Sequence, residues 1–161
     1  MQGRRDGSLG GCDGALCYHA NRMPTAPAVF LRCVEAIRRG KLIVRESSKD
    51  KEFHFHNWFM ERLGETGLNF DQGGRNSYPD FRLVKTTEGY EVKGLAYPGR
   101  DASFDSNSQV PTGHHNGRDI YYVFGRYPKN PDGDSYPVLD LELCAAISLT
   151  PITITSTRTE A

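Results

Sequence analysis

The sequence predicts an α/β fold in which two N-terminal helices pack on a sheet of about four or five strands. Three observations predict it. Apolar residues recur at helical spacing twice, at Val29, Phe30, Cys33, Val34 and Ile37 and again at Phe55, Trp58, Phe59 and Leu63. Two short strand-like runs, Phe81 to Lys85 and Tyr90 to Leu95, flank a small polar connection. Ile120-Tyr121-Tyr122-Val123-Phe124-Gly125 is the clearest β-branched and aromatic run in the chain.

The bulk properties suit that class. At 161 residues the chain can bury the core of one domain. Its 37% hydrophobic and 25% charged residues match a soluble globular profile. No run approaches the ~18 apolar residues of a membrane span. Formal net charge is zero, so there is no basic excess of the kind that usually accompanies phosphate contacts. A site built on carboxylates would offset its Lys and Arg and leave the same balance. Arg4 and Arg5 are followed by no apolar stretch, which argues against a secretory signal. The four cysteines then read as reduced thiols, and the cytoplasm is the expected compartment.

Residues 1–24 are Gly-rich, polar and aperiodic, and read as a flexible arm. Cys12, Cys17 and His19 lie close together there, but their spacing matches no common zinc site. Pro27 suits the first turn of the first helix and Gly40 its end. Arg32, Glu35, Arg38 and Arg39 fall on the other side of its apolar stripe, as a solvated face. Lys41 to Val44 is a short extended run, and a second helix is expected from about Lys51 to Gly64. His54 and His56 read as ordinary helix residues. Leu68-Asn69-Phe70 reads as extended, and a turn-rich loop from Asp71 to Asn76 delivers the chain to Ser77-Tyr78-Pro79-Asp80.

Thr86-Thr87-Glu88-Gly89 has the look of a hairpin connection between the strand after Asp80 and the strand carrying Glu91-Val92-Lys93. Alternation sends Glu91 and Lys93 to one side and Tyr90 and Val92 to the other. A suitable register brings Asp80 to the Glu91/Lys93 side. The 97–117 segment is long, polar and loop-like, and long loops of this kind are functional or disordered. The 120–125 strand looks buried on both faces because its apolarity is nearly continuous. Tyr136 to Leu143 reads as a further strand or a helix start. The domain is drawn over residues 25–143. Residues 144–161 are Thr/Ile-rich and carry no charge until Arg158, the mark of an edge strand or of a truncated or frameshifted tail.

Two carboxylates and an ammonium at one sheet edge suit phosphodiester hydrolysis. Mg²⁺ takes oxygen ligands, with one or two carboxylates and a substrate phosphate as its usual complement. A lysine beside such a carboxylate can orient or deprotonate the attacking water or stabilise charge growing on the phosphate.

Pro79-Asp80 followed by Glu91-Val92-Lys93 resembles the signature of the PD-(D/E)XK nuclease superfamily, to which most type II restriction endonucleases belong. The resemblance covers roughly residues 53 to 127. It implies a restriction-endonuclease-like mixed central sheet flanked by helices, and a Mg²⁺-dependent endodeoxyribonuclease, with Mn²⁺ as a substitute ion. Asp80, Glu91 and Lys93 are its implied catalytic residues. Asp80, Glu91 and the Val92 backbone carbonyl are the implied metal ligands, with Glu61 or Glu65 of the preceding helix as candidates for an extra one. The implied partners are double-stranded DNA, a second copy in a homodimer and a cognate methyltransferase. Asn107 and Gln109 are candidate base-reading residues, because Asn and Gln pair with adenine edges. Arg118 and Arg126 are candidate DNA contacts, Arg126 because it could point at the substrate phosphate. A repair nuclease or junction resolvase of the same fold, and a non-catalytic DNA-binding module, are the alternative readings.

Overall fold

The computed structural model describes residues 24–46, 51–74, 77–99 and 114–146 and the backbone of 152–153. The arm over residues 1–23 with Cys12, Cys17 and His19, and the candidate base readers Asn107 and Gln109, lie outside the described residues.

Helix α1 (Ala26–Arg38) buries Ala26, Val29, Phe30, Cys33 and Ala36 on one stripe. It ends as Gly40 predicts. The Gly40 amide donates to the Ile37 carbonyl and the Lys41 amide to Ala36, which satisfies the last carbonyls of the helix. Thr25 makes no side-chain cap within the helix. A distant residue caps it instead. Glu88, only 6% exposed, accepts hydrogen bonds from the Thr25 amide at 2.7 Å, from the Thr25 hydroxyl, and from the Tyr90 hydroxyl at 3.1 Å. A carboxylate there also complements the positive end of the helix dipole.

Helix α2 (Lys51–Glu65) lies against α1 on one side and the sheet on the other. Phe55, Trp58, Phe59 and Leu63 are buried, and each such side chain contributes about 1.5–3 kcal/mol relative to exposure. The Trp58 indole donates to the Lys41 carbonyl at 3.2 Å. Two further buried side chains, His54 and Arg62, have polar partners. His54 meets the Tyr136 hydroxyl at 3.2 Å, and Arg62 holds Glu61 at 2.8 Å and Glu65 at 2.9 Å.

The sheet is mixed. Strands β2 (Phe70–Gln72), β3 (Phe81–Leu83), β4 (Glu88–Tyr97), β6 (Arg118–Pro128), β8 (Asp140–Ala145) and β9 (Ile152–Thr153) lie side by side in that order, and β5 (His114–His115) pairs with β6. Only the β4–β6 pair is parallel among them, in register from Glu88 opposite Asp119 to Tyr97 opposite Pro128. Strands β1 (Ile43–Val44) and β7 (Ser135–Tyr136) form a separate antiparallel pair. The main sheet has seven strands, more than expected, because β5 and β9 are each two residues long and β2 only three. Such pieces are shorter than any periodicity window, and only pairing defines them.

Three further expectations change. Glu88 and Gly89 belong to strand β4 and not to the turn. They pair with β3 and β6, and the Arg118 guanidinium braces the turn by donating to the Leu83, Thr86 and Glu88 carbonyls at 2.8, 3.2 and 3.4 Å. Second, Asn116 and Gly117 are a hairpin turn between β5 and β6, both at positive φ (50° and 73°), where Asn and Gly are the tolerant residues. Third, β6 is more completely covered on the helix face, where Val123, Gly125 and Tyr127 are buried and Tyr121 is half-buried. Phe55 packs so tightly on Gly125 that a Cβ there would lie 2.0 Å from its ring. Phe59 and Tyr90 rings meet on the same face at 5.8 Å. On the opposite face Ile120 is buried, Tyr122 and Phe124 are half-buried and Arg126 is exposed. Strand β8 runs past residue 143 to Ala145, and the Ala146 amide donates to the Ile120 carbonyl at 2.9 Å. Among the described residues no helix is long and apolar enough to cross a membrane.

Candidate active site

The face turned away from the helices carries the predicted residues. Pro79 leads into it. A Cβ on Gly89 would lie 2.5 Å from Pro79 Cγ and 3.2 Å from Ile120 Cδ1, so a glycine at 89 lets the Pro79 ring lie flat on β4. The Gly73 amide donates to the Asp80 carbonyl at 2.9 Å and fixes the approach from the other side. Phe81 then pairs with Tyr90, which sets Asp80 beside Glu91. Where β3 begins, the Asp80 side chain takes the place of a ladder partner. Its Oδ2 accepts the Val92 amide at 2.8 Å. The amide and carbonyl of one strand residue point to the same edge, so the Val92 carbonyl is directed to the Asp80 side as well.

Glu91 is 9% exposed, and Lys93 Nζ lies 2.7 Å from its Oε1. Burial pushes the Glu91 carboxyl above its ordinary range, and the neighbouring Asp80 charge adds to the rise, while Lys93 opposes both. Asp80, Glu91 and Lys93 are therefore one electrostatic unit, drawn from two strands.

Helix α2 adds a residue that the sequence reading set aside. His56 Nε2 lies 3.8 Å from Asp80 Oδ1. Its ring stacks on Phe81 at 4.5 Å between centroids. Burial holds the imidazole below its usual pKa; the Glu91 charge raises it and Lys93 lowers it further. The missed signal was angular. At about 100° per residue His56 flanks the stripe of Phe55, Phe59 and Leu63, on the sheet side. Glu61 lies about 140° further round. It is 63% exposed and bound to Arg62 at 2.8 Å, so the structure does not bring it to Asp80 or Glu91. Glu65 is also turned away, toward Arg62 and Lys41.

Tyr122 stands opposite Glu91 in the parallel pair, and Phe124 opposite Lys93. Tyr78 and Tyr122 share a hydroxyl contact of 3.1 Å, and burial pushes the Tyr78 phenol up, the Tyr122 contact and the Glu91 charge adding to it. Arg126 pairs in register with Leu95, one position further along this face, and its guanidinium sits 6.0 Å from the Tyr97 ring. Arg118 is different: it is half-buried and directed at three carbonyls, as described above.

Mg²⁺ suits the oxygen set found here. Two carboxylates that repel each other are what a bound cation relieves, and Mg²⁺ needs no more than one or two from the protein. Among the described residues there is no group of three or more His, Cys, Asp or Glu that could hold a metal ion. The protein's donors would be Asp80, Glu91 and the Val92 carbonyl. No protein-family model, curated protein or solved structure matches the chain.

Proposed function

We propose that the chain is a Mg²⁺-dependent endodeoxyribonuclease of the PD-(D/E)XK type, most like a type II restriction endonuclease. One observation carries the reading: the Asp80–Val92 hydrogen bond of 2.8 Å draws Asp80 to the strand on which Lys93 sits 2.7 Å from Glu91. The mixed sheet with a helix ahead of the Asp80 strand supports it.

Asp80, Glu91 and the Val92 carbonyl would hold the cation, which when bound would supply charge stabilisation at the phosphate and a more acidic water. Asp80 is held in its rotamer by the Val92 amide, so the carboxylate is oriented before substrate arrives. Lys93 orients or deprotonates the attacking water, and in its charged form it meets the negative charge that grows on the phosphate oxygens. Water attacks phosphorus in line with the departing oxygen. Tyr122, Phe124 and Arg126 border this face, and Arg126 provides a cation for the backbone of DNA.

The test is cleavage of a mixed DNA substrate by the purified chain with Mg²⁺ or Mn²⁺, against EDTA, followed by mapping of the ends. Discrete ends at one short sequence are expected, abolished by Asp80→Ala and Lys93→Ala. Structure-dependent nicks would move the reading to a repair nuclease or junction resolvase. Metal-independent DNA binding without cleavage would leave a non-catalytic module.

A further inference from the structure

We propose that His56 is a positioning residue for Asp80: its Nε2–H holds Asp80 Oδ1 while the Val92 amide holds Oδ2. The inference rests on the nuclease reading for its purpose and on separate geometry for its substance.

Three observations converge on the imidazole. Nε2 is 3.8 Å from Asp80 Oδ1. The ring stacks on Phe81 at 4.5 Å between centroids and lies near-parallel to the Phe53 ring at 6.4 Å. The other nitrogen, Nδ1, is buried and meets no hydrogen-bond partner. A proton on Nδ1 would be a buried donor without an acceptor, whereas a proton on Nε2 faces a carboxylate. The proton therefore belongs on Nε2, facing Asp80. At 3.8 Å the pair is longer than a hydrogen bond, and contacts of this kind commonly tighten once substrate is in place. Asp80 is then gripped at both oxygens, by a strand amide and by a helix side chain, and the plane of its carboxylate is set. A helix residue thus serves the site by orienting a carboxylate, and the same tautomer, with its proton on Nε2, excludes that nitrogen as a direct ligand.

The substitutions that separate these roles are His56→Gln, whose amide nitrogen reaches the Nε2 position, and His56→Phe, which keeps the ring stack and loses the donor. Both are made in the full chain and checked for folding by circular dichroism. Mn²⁺ binding is measured by calorimetry, and cleavage of DNA separately. His56→Phe is expected to weaken Mn²⁺ binding by roughly tenfold or more, the usual effect of losing an outer partner of a metal ligand, and His56→Gln to restore it to within about threefold. Equal binding by the wild type and His56→Phe would overturn the inference, as would a His56→Gln protein no better than His56→Phe. A nitrogen coupling in the electron-spin-echo spectrum of bound Mn²⁺, lost in His56→Phe, would overturn it in favour of direct ligation. Mn²⁺ binding with the expected variant pattern but no cleavage of any DNA would uphold the His56 role and remove the nuclease reading alone.

Discussion

Asp80 and Val92 are joined side chain to backbone across the start of a hairpin, Oδ2 to amide at 2.8 Å. This one bond serves two ends. It closes the ladder where β3 begins, and it fixes a carboxylate next to Glu91.

The bond makes Asp80 a structural residue as well as a candidate ligand. A hydrogen bond to a charged acceptor contributes about 1.5–3 kcal/mol. Asp80 is partly exposed, so Asp80→Ala should lose about 1–2 kcal/mol of stability, with Asp80→Asn losing less because an amide oxygen still accepts. Urea unfolding curves read this. Both variants should lose Mg²⁺-dependent cleavage at temperatures where they are fully folded.

Glu91 sets a pH dependence whose sign is fixed by its environment. Its carboxyl is raised above 4.5 by burial and by Asp80, so between that value and its folded pKa the native state binds more protons than the unfolded chain. Without metal, the Glu91 contribution to stability is therefore greatest below that window and is lost as pH rises through it. Glu91→Gln should flatten this slope in denaturation curves measured across the window. Metal reverses the preference, because only the ionised carboxylate coordinates: apparent Mg²⁺ affinity, by calorimetry, should increase as pH rises through the same range.

Glu88 holds helix α1 to the sheet. Removing it leaves the Thr25 amide and hydroxyl and the Tyr90 hydroxyl without their acceptor. Glu88→Ala should cost about 3 kcal/mol or more, and Glu88→Gln less, in equilibrium unfolding. Neither should change metal affinity in the folded protein, since Glu88 lies on the helix side of β4 and Glu91 on the other.

The two arginines should separate cleanly. Arg118→Met removes a donor shared by three carbonyls and should destabilise by about 2–4 kcal/mol, leaving the salt dependence of DNA binding unchanged. Arg126→Met removes an exposed cation, and should leave the melting temperature nearly unchanged. It should weaken DNA binding across sequences and reduce the slope of log affinity against log salt by about one. Fluorescence anisotropy at several salt concentrations distinguishes them.

Much of this protein was legible from residue order. Local chemistry determined both helices, the Gly40 stop, the Asp80 and Glu91 strands and the alternation that sends Glu91 and Lys93 to one face, because period and turn propensity act over a few residues. The strands of two or three residues were not legible, since pairing alone stabilises them. The role of Arg118 was not, because an arginine next to an acid reads the same whether it meets phosphate or backbone. Glu88 looked like turn polarity, and only the arrival of Thr25, 63 residues earlier in the chain, made it a helix cap.

The site divides the same way. The sequence by itself determined which groups are present and which of them share a strand face. Tertiary structure decided what completes the cluster: His56 is 24 residues before Asp80 and reaches it because α2 packs across the sheet, while Glu61 turns outward with Arg62. The physical reason is that hydrogen bonds and charge effects depend on distance in space. Along the chain, the positions of Asp80 and Glu91 record a hairpin; only packing records which helix face meets it.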